Sequence, residues 1–581
     1  MSRQPLNRRT VARDFSRAYG RARIYSRSDL RADLAAGLTG ATAGAPQAMA
    51  FALVAGISPA YGLYTAIVST IIGGLFSRSS LLTTGPTNAL AVVIASTLAP
   101  FADSGDMVGR LVTLTFLVGV IELALGLLRL GGLARYVSTA VMTGFITGAA
   151  LLVLLGQLNN LTGIHADAAN PLLELGDLLR RLNELHPETF ITGLVTIAII
   201  VWLRRTRIAP FATLIAIAVT GVAIAFLGWH ERGVALVIDL ASIPATLPGV
   251  RLPDPRYFID LAPGALALAV LALVQTAALM QSVQRPDEDP PNASREFIVQ
   301  GAANVAGALF RSMPAGGSLS RTAVNIKSGA RTRWANVFAG LFVALIMLLF
   351  GPLAERIALA ALAGQLVVAS TTLIDVGQMR FIWRASTAGR WAMVATLAST
   401  LIVPLQYSVY VGVALSLLLY IGESSHIRLT VLERLEDNRY RESAPPRRLP
   451  DAEPVLLSLQ GNLSFAAMRE LVTRLPDATR AQRPVVIMRL RGDAMLAGTG
   501  VAVIMAYHRR LRARGGKLIL CGVEPHTYET LRRTGALELL GPENVFCAEE
   551  VVFASSERAY DYAKGWLAEE NARALDAAQN G

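Results

Sequence analysis

The chain has 581 residues, of which 53% are hydrophobic and only 17% charged, and its mean hydropathy is +0.46; this composition belongs to a membrane protein. Its formal charge of +12, from 54 basic and 42 acidic residues, would suit a nucleic-acid binder, but the distribution of that charge excludes one. Cys521 and Cys547 both lie in the polar tail, which excludes a disulfide framework and a cysteine metal site.

The chain opens on an arm carrying Arg3, Arg8, Arg9, Arg13, Arg17, Arg21, Arg23, Arg27 and Arg31, immediately ahead of the first apolar run. Such a cluster is a positive-inside anchor, not a groove reader. Many further apolar runs follow, so the first one reads as a signal anchor and not as a cleaved secretory peptide. Four regions are expected: 1–33 a cytoplasmic basic arm, 34–422 a transmembrane domain, 423–450 a linker, and 451–581 a soluble domain with a terminal helix.

Spanning or half-spanning segments are predicted at 35–54, 60–76, 87–101, 108–128, 137–158, 189–203 and 208–227. Seven more follow at 263–283, 296–310, 320–326, 335–353, 358–374, 391–403 and 407–421. With a cytoplasmic N-terminus, the inside loops hold Arg78, Arg129, Arg135, Arg204, Arg205, Arg207, Arg285, Lys327, Arg331, Arg380 and Arg384. The loop 159–188, with Asp167, Glu174, Asp177, Glu184 and Glu188 against Arg180 and Arg181, suits the outside. These positions follow the positive-inside rule, and both termini are expected in the cytoplasm.

Two segments are too short to cross, since a bilayer needs about 20 apolar residues. They are the third and the tenth, opened by Thr83-Thr84-Gly85-Pro86-Thr87-Asn88 and by Met313-Pro314-Ala315-Gly316-Gly317-Ser318-Leu319-Ser320-Arg321-Thr322. Their starts should lie inside the membrane. A helix N-terminus leaves up to four N–H groups unpaired and carries roughly half a positive charge, so two such ends facing each other make an anion site. Seven crossings per half invert the second half, and the third and tenth segments then correspond, as an inverted-repeat transporter requires.

After residue 421 a charged stretch, Glu433-Arg434-Leu435-Glu436-Asp437-Asn438-Arg439, and Pro445-Pro446-Arg447-Arg448 lead into strand–helix alternation. Strands are predicted at 455–459, 485–490 and 518–522, and helices at 499–514 and 526–534. An amphipathic terminal helix at 559–575 could dock on this domain or on a second subunit.

Several motifs carry a family resemblance. Asp33-Leu34-Ala35-Ala36-Gly37, the run from Pro46-Gln47-Ala48-Met49 to Gly56, Pro59-Ala60-Tyr61-Gly62-Leu63-Tyr64, Thr84-Gly85-Pro86, Val141-Met142-Thr143-Gly144-Phe145 and Ser318-Leu319-Ser320-Arg321 together resemble the SulP anion transporters, the family that includes prestin. The tail, with Gly498-Thr499-Gly500 and Gly515-Gly516-Lys517-Leu518-Ile519-Leu520, resembles a STAS domain. The resemblance implies an α-helical polytopic membrane protein of 14 segments in a seven-plus-seven inverted repeat, with core and gate domains and a C-terminal α/β STAS domain. It further implies that Gln47, Phe51, Thr87, Ser320 and Arg321 surround a small anion. A hydroxyl at Thr87 stands where relatives nearest prestin often carry an aromatic residue, which leaves substrate preference open.

Each of these residues also has a plainer reading. Arg321 either pairs with an anion or snorkels to the cytoplasmic face as a loop anchor. Ser320 and Thr87 donate hydroxyls to a ligand or simply cap helices. Gln47 contacts substrate or rebonds backbone freed by Pro46, and Phe51, four residues on, shares its face or packs the core. Relatives commonly carry a glutamate in the eighth segment, whereas Gln275 stands here and no acid occurs between 263 and 283. That departure favours exchange or electrogenic uniport over proton symport. Glu122 remains as an intramembrane carboxylate, either a proton relay or the partner of an interior basic group. Ala497 occupies the acidic place of phosphorylated STAS relatives and Thr499 the hydroxyl place, so folding or docking is the plainer role of the tail.

The expected function is secondary transport of a small anion, of the sulfate, bicarbonate, chloride or dicarboxylate class, by alternating access. The alternatives are a nucleobase-carrier-like transporter of the same fold and a membrane-tethered STAS signalling scaffold. No metalloprotease histidine pair, Gly-x-Ser-x-Gly elbow or ATP-binding loop is present, so an enzyme is not expected. The expected partners are the anion, membrane lipid and a second copy in a homodimer, with no cofactor, metal or nucleic acid. Lysine occurs only at Lys327, Lys517 and Lys564, an arginine-for-lysine bias that points to a GC-rich bacterium and hence to a bacterial inner membrane.

Overall fold

The computed structural model describes residues 25–579 except 78, 80, 103–104, 133–136, 165–170, 207, 284–291, 425–426, 436–438, 461–464, 491–495 and 497. Most of the basic arm, with Arg78, Arg135, Arg207, Arg285, Asp167 and Ala497, therefore lies outside the described residues. The chain divides into two compact units, Met1–Ser416 and Leu417–Gly581.

Every predicted membrane segment is a helix. The first seven are α1 (Arg27–Val54), α2 (Pro59–Phe76), α3 (Asn88–Leu98), α4 (Met107–Leu127), α5 (Thr139–Gly156), α6 (Pro187–Leu203) and α7 (Ala212–Leu227). The second seven are α8 (Phe258–Val283), α9 (Ala293–Leu309), α10 (Leu319–Lys327), α11 (Trp334–Ala354), α12 (Leu359–Thr371), α13 (Thr387–Ile402) and α14 (Leu405–Ser424). Among the described residues six stretches, Pro59–Phe76, Met107–Leu127, Thr139–Thr162, Pro255–Ala277, Trp334–Ala354 and Leu359–Ala385, are long and apolar enough to cross a membrane, and four apolar helices are shorter. Two amphipathic helices are Pro171–Arg180, between α5 and α6, and Val376–Ala385, the last part of the stretch Leu359–Ala385.

Helix pairing repeats with an offset of seven. α4 packs along α9, and α11 packs along α2; likewise α5 packs on α13, and α12 on α6. Adding seven to one member of a pair and subtracting it from the other generates its counterpart, the signature of two inverted halves. Small residues permit the closest approaches: a Cβ on Gly119 would stand 2.6 Å from the Val305 amide nitrogen, and one on Gly301 2.6 Å from that of Leu123. α4 and α9 are thus in backbone contact.

The second unit is a six-stranded sheet ordered β4-β3-β5-β6-β7-β8, formed by β3 (Arg428–Arg434), β4 (Tyr440–Ser443), β5 (Pro454–Gln460), β6 (Val485–Arg489), β7 (Lys517–Val523) and β8 (Val545–Cys547). β5 to β8 run parallel, and β3 is antiparallel to both neighbours. The stretch expected to be a linker therefore carries two edge-side strands. Its period-two signal is hidden because Leu429, Thr430, Val431 and Leu432 are buried consecutively while charges crowd the end of the strand. The terminal helix, Ala554–Gln579, covers one sheet face by setting Ala559, Ala563 and Leu567 against Leu456, Ile487 and Ile519. Thr499 is exposed in the first turn of Gly498–Arg512.

Candidate functional site at the two half-helix starts

The segments before α3 and α10 pair directly. β1 (Thr84–Gly85) and β2 (Gly316–Gly317) form a two-residue antiparallel ribbon, Thr84 opposite Gly317 and Gly85 opposite Gly316. The Ser318 amide donates to the Thr83 carbonyl (2.9 Å), and the Thr83 amide to Thr322 Oγ1 (3.1 Å). Unpaired backbone cannot survive inside a membrane unit; here each broken helix supplies the other's partners. Glycine is needed for the approach: a Cβ on Gly317 would lie 2.8 Å from Thr276 Oγ1 and 3.1 Å from the Thr276 Cα.

At the start of α3, Thr87 is the cap, with Oγ1 accepting from the Leu90 amide (3.3 Å). Its hydroxyl also donates to Gln275 Oε1 on α8 (3.4 Å). At the start of α10 the cap is Ser318 and not Ser320, since Ser318 Oγ accepts from the Arg321 amide (3.5 Å). Ser320 is released from capping; it is exposed, and its Oγ accepts from Gln47 Nε2 on α1 (3.2 Å). The structure thus joins Gln47 to Ser320 and Thr87 to Gln275.

Arg321 does not snorkel outward. It is 8% exposed; Nη2 donates to the Gly44 carbonyl on α1 (3.4 Å), and Nε is buried without a hydrogen-bond partner. The guanidinium fills the place a side chain at residue 85 would take, because a Cβ there would be 2.6 Å from Nη1. A full charge is therefore held between α1 and β1 with donor capacity unspent. Phe51, one turn beyond Gln47, is 3% exposed and belongs to the apolar core.

Glu122 is fully buried on α4. Its partners are amides and not the interior basic group considered from the sequence: Gln300 Nε2 donates to Oε1 (2.8 Å) and Asn304 Nδ2 to Oε2 (2.8 Å). Neither amide, nor Thr276, is among the site residues expected from the sequence. The available signal was two polar residues spaced i, i+4 in an apolar helix of a protein with few intramembrane acids.

Asp33 ties the first part of α1 to the turn after α10. Its carboxylate accepts from the amides of Arg331 (2.8 Å) and Thr332 (3.0 Å) and from the Thr332 hydroxyl (2.5 Å). Nearby, the Ser26 hydroxyl and then Arg331 hold the Asp29 carboxyl below its ordinary range. Both ends of α10 are thereby anchored to α1 or to the ribbon.

Comparison with known proteins shows the family and the fold. Residues 30–396 match the model of the sulfate permease family, and residues 447–572 match the STAS domain. The chain is 30% identical over 513 residues to "Probable sulfate transporter Rv1739c" of Mycobacterium tuberculosis, spanning 86% of this chain and 90% of that protein. It is 25% identical over 530 residues to "Sulfate transporter 4.1, chloroplastic" of Arabidopsis thaliana, spanning 86% and 76%. Its fold is similar to that of the murine Slc26a9 anion transporter in the inward-facing state, with a TM-score of 0.84 at 19% identity over 97% of this chain and 96% of that one. The transmembrane domain of the cyanobacterial bicarbonate transporter BicA is similar at 25% identity with a TM-score of 0.55, covering 67% of this chain and 98% of that one. With the family model spanning most of the chain, and both broken helices in place, this chain belongs to the sulfate permease family and is a multi-pass secondary transporter of small anions with a C-terminal STAS domain.

Proposed function

We propose that the anion binds between the starts of α3 and α10, contacted by Gln47, Thr87, Ser320 and Arg321 with Phe51 as an apolar wall, and that sulfate is the first substrate to test. The observation that carries this reading is the pairing of two capped helix starts beside a buried arginine whose Nε has no partner. Helix N-termini and a desolvated guanidinium both favour negative charge, and a planar fork of donors suits a tetrahedral oxyanion. Relatives named as sulfate transporters support sulfate. Bicarbonate is the second reading, from the likeness to BicA.

Gln275 faces Thr87 and is neutral at every pH, so α8 supplies no proton site beside the start of α3, and exchange or uniport is the proposed mode. A small apolar pocket of about 20 Å³ between α5, α8 and α14, lined by Val141, Phe145, Val274 and Val409, lies one residue from Gln275. The protein is proposed to work as a transporter and not an enzyme, in a bacterial inner membrane, as a homodimer with cytoplasmic termini. The residue divisions expected from sequence, 1–33, 34–422, 423–450 and 451–581, are retained as functional regions, the third now carrying strands. Purified protein in proteoliposomes should take up sulfate, bicarbonate, chloride or a dicarboxylate without needing a proton or sodium gradient. Absence of uptake for all four anions under pH, sodium and voltage gradients would contradict the proposal.

A further inference from the structure

The ribbon that joins the two helix starts hangs from one carboxylate. The Ala315 amide donates to Asn304 Oδ1 (2.8 Å), which obliges the Asn304 NH2 to point the other way, to Glu122 Oε2 (2.8 Å) and the Ala315 carbonyl (2.9 Å). The Gly317 amide donates to Thr276 Oγ1 (3.1 Å), whose single proton goes to Gln300 Oε1 (2.5 Å). The Gln300 NH2 must then face Glu122, donating to Oε1 (2.8 Å). Two main-chain N–H groups of the segment 315–317 thus fix the direction of two relays, and both end on the same side chain. Only a group that accepts on both oxygens fits there. An amide in its place would set one NH2 against another.

The backbone is built to bring these groups together. Gly119 and Gly301 remove the side chains that would hold α4 and α9 apart, and a Cβ on Gly126 would lie 2.6 Å from Ile298 Cγ1. An isolated carboxylate inside a membrane unit is costly; this one has both oxygens satisfied and is 0% exposed, and it touches none of Gln47, Thr87, Ser320 or Arg321 through the hydrogen bonds described above.

We propose that Glu122 is a positioning residue, whose carboxylate, acting through Gln300 and Asn304, sets residues 315–317 and with them the register of β1 on β2 at which the anion is held. The inference rests on the anion site proposed above only for its consequence in transport; the network itself is read without any anion. Its logic differs from proton relay, because what matters is the direction of the donors and not a proton moving through the carboxylate.

The test uses full-length protein as wild type, Glu122→Gln, Gln300→Glu and the double exchange Glu122→Gln/Gln300→Glu. In the double variant each donor again meets an acceptor: the residue 122 amide donates to the residue 300 carboxylate and accepts from Asn304, while Thr276 still donates to residue 300. Hydrogen–deuterium exchange of peptides covering 313–318 should quicken about tenfold in Glu122→Gln, the effect of leaving a buried donor unpaired, and return to the wild-type rate in the double variant. Uptake of radiolabelled sulfate in proteoliposomes should show KM raised about tenfold in each single variant with kcat little changed, and restored in the double. Wild-type exchange at 313–318 in Glu122→Gln would overturn the proposal, as would a double variant that fails to fold or stays as impaired as the singles. Unchanged exchange and KM with loss only of the pH profile would identify a proton relay and equally overturn it. If wild type moves none of the anions, the transport reading fails while the exchange arm still decides the role of Glu122.

Discussion

The two half-helix starts share one ribbon but not one chemistry. At α3 the cap is Thr87, whose hydroxyl is committed to the neutral Gln275. At α10 the cap is Ser318, which leaves Ser320 open to Gln47, and the next residue is a buried arginine. An inverted repeat supplies two similar dipoles; the sequence then charges one of them. In this account α10 supplies the strength of anion binding, and α3 its shape and its indifference to pH.

The sharpest way to break the comparison is Arg321→Ala. Two unit charges at about 4 Å interact by about 4 kcal/mol at an effective dielectric near 20, before desolvation is subtracted, so sulfate affinity should fall by roughly a hundredfold or more while thermal stability is kept. Equal affinity in a well-folded Arg321→Ala protein would move the charge out of the site. Charging the other start should do the reverse of neutrality: Gln275→Glu places an ionisable carboxyl 3.4 Å from where Thr87 now donates. Its ionised form repels an anion and its neutral form does not, so uptake should fall as pH rises, by about tenfold across the titration. A flat pH profile in that variant would show that α8 does not face the anion.

The glycines of the ribbon separate the two starts further. Gly85→Ala should push the guanidinium aside, a flexible end 2.6 Å from the new methyl, and weaken affinity about tenfold with little loss of fold. Gly317→Ala meets the α8 backbone instead and should lower stability and transport together. Thr87→Val and Ser320→Ala each remove one neutral hydroxyl, worth about 1 kcal/mol or about fivefold in KM, and Thr87→Val alone should also destabilise α3, since it deletes a cap. Any pH series must be corrected for the C-terminal unit. There His508 is buried with both ring nitrogens unpartnered, and burial, then Arg512 and Arg509, lower its pKa. A histidine whose folded pKa is depressed gives full stability above its ordinary range near 6.5 and loses it as pH falls below that value. Melting of the full chain should therefore decline between neutral and mildly acidic pH, and His508→Gln should reduce that decline.

Much of the fold was legible because hydropathy and helix breakers are local signals. Gly85-Pro86 and Pro314 through Gly317 marked the two breaks, and the fourteen expected segments became α1 to α14 with bounds shifted by up to eight residues, the largest shift at the start of α1. The ribbon was not legible: two residues against two, separated by more than two hundred positions, carry no periodicity. The choice between Ser318 and Ser320 as the cap also depends on where the ribbon ends, which is a tertiary matter. Glu122 was visible as an oddity, but its partners Gln300 and Asn304 lie on another helix, and only the glycine contact between α4 and α9 brings them within reach. Residues 428–443 were obscured differently, by charges on strands whose buried positions run together.

The central claim is that one anion is held jointly by both helix starts, with its charge met from α10. A cryo-electron microscopy structure of the full chain in saturating sulfate, compared with one in an impermeant large-anion buffer, tests this most directly. The account predicts a single tetrahedral density within hydrogen-bonding distance of Ser320 Oγ and the first amides of α3 and α10, with the Arg321 guanidinium turned toward it. Density bound elsewhere, or an Arg321 that keeps its contact with the Gly44 carbonyl while the sulfate sits apart from both starts, would contradict it.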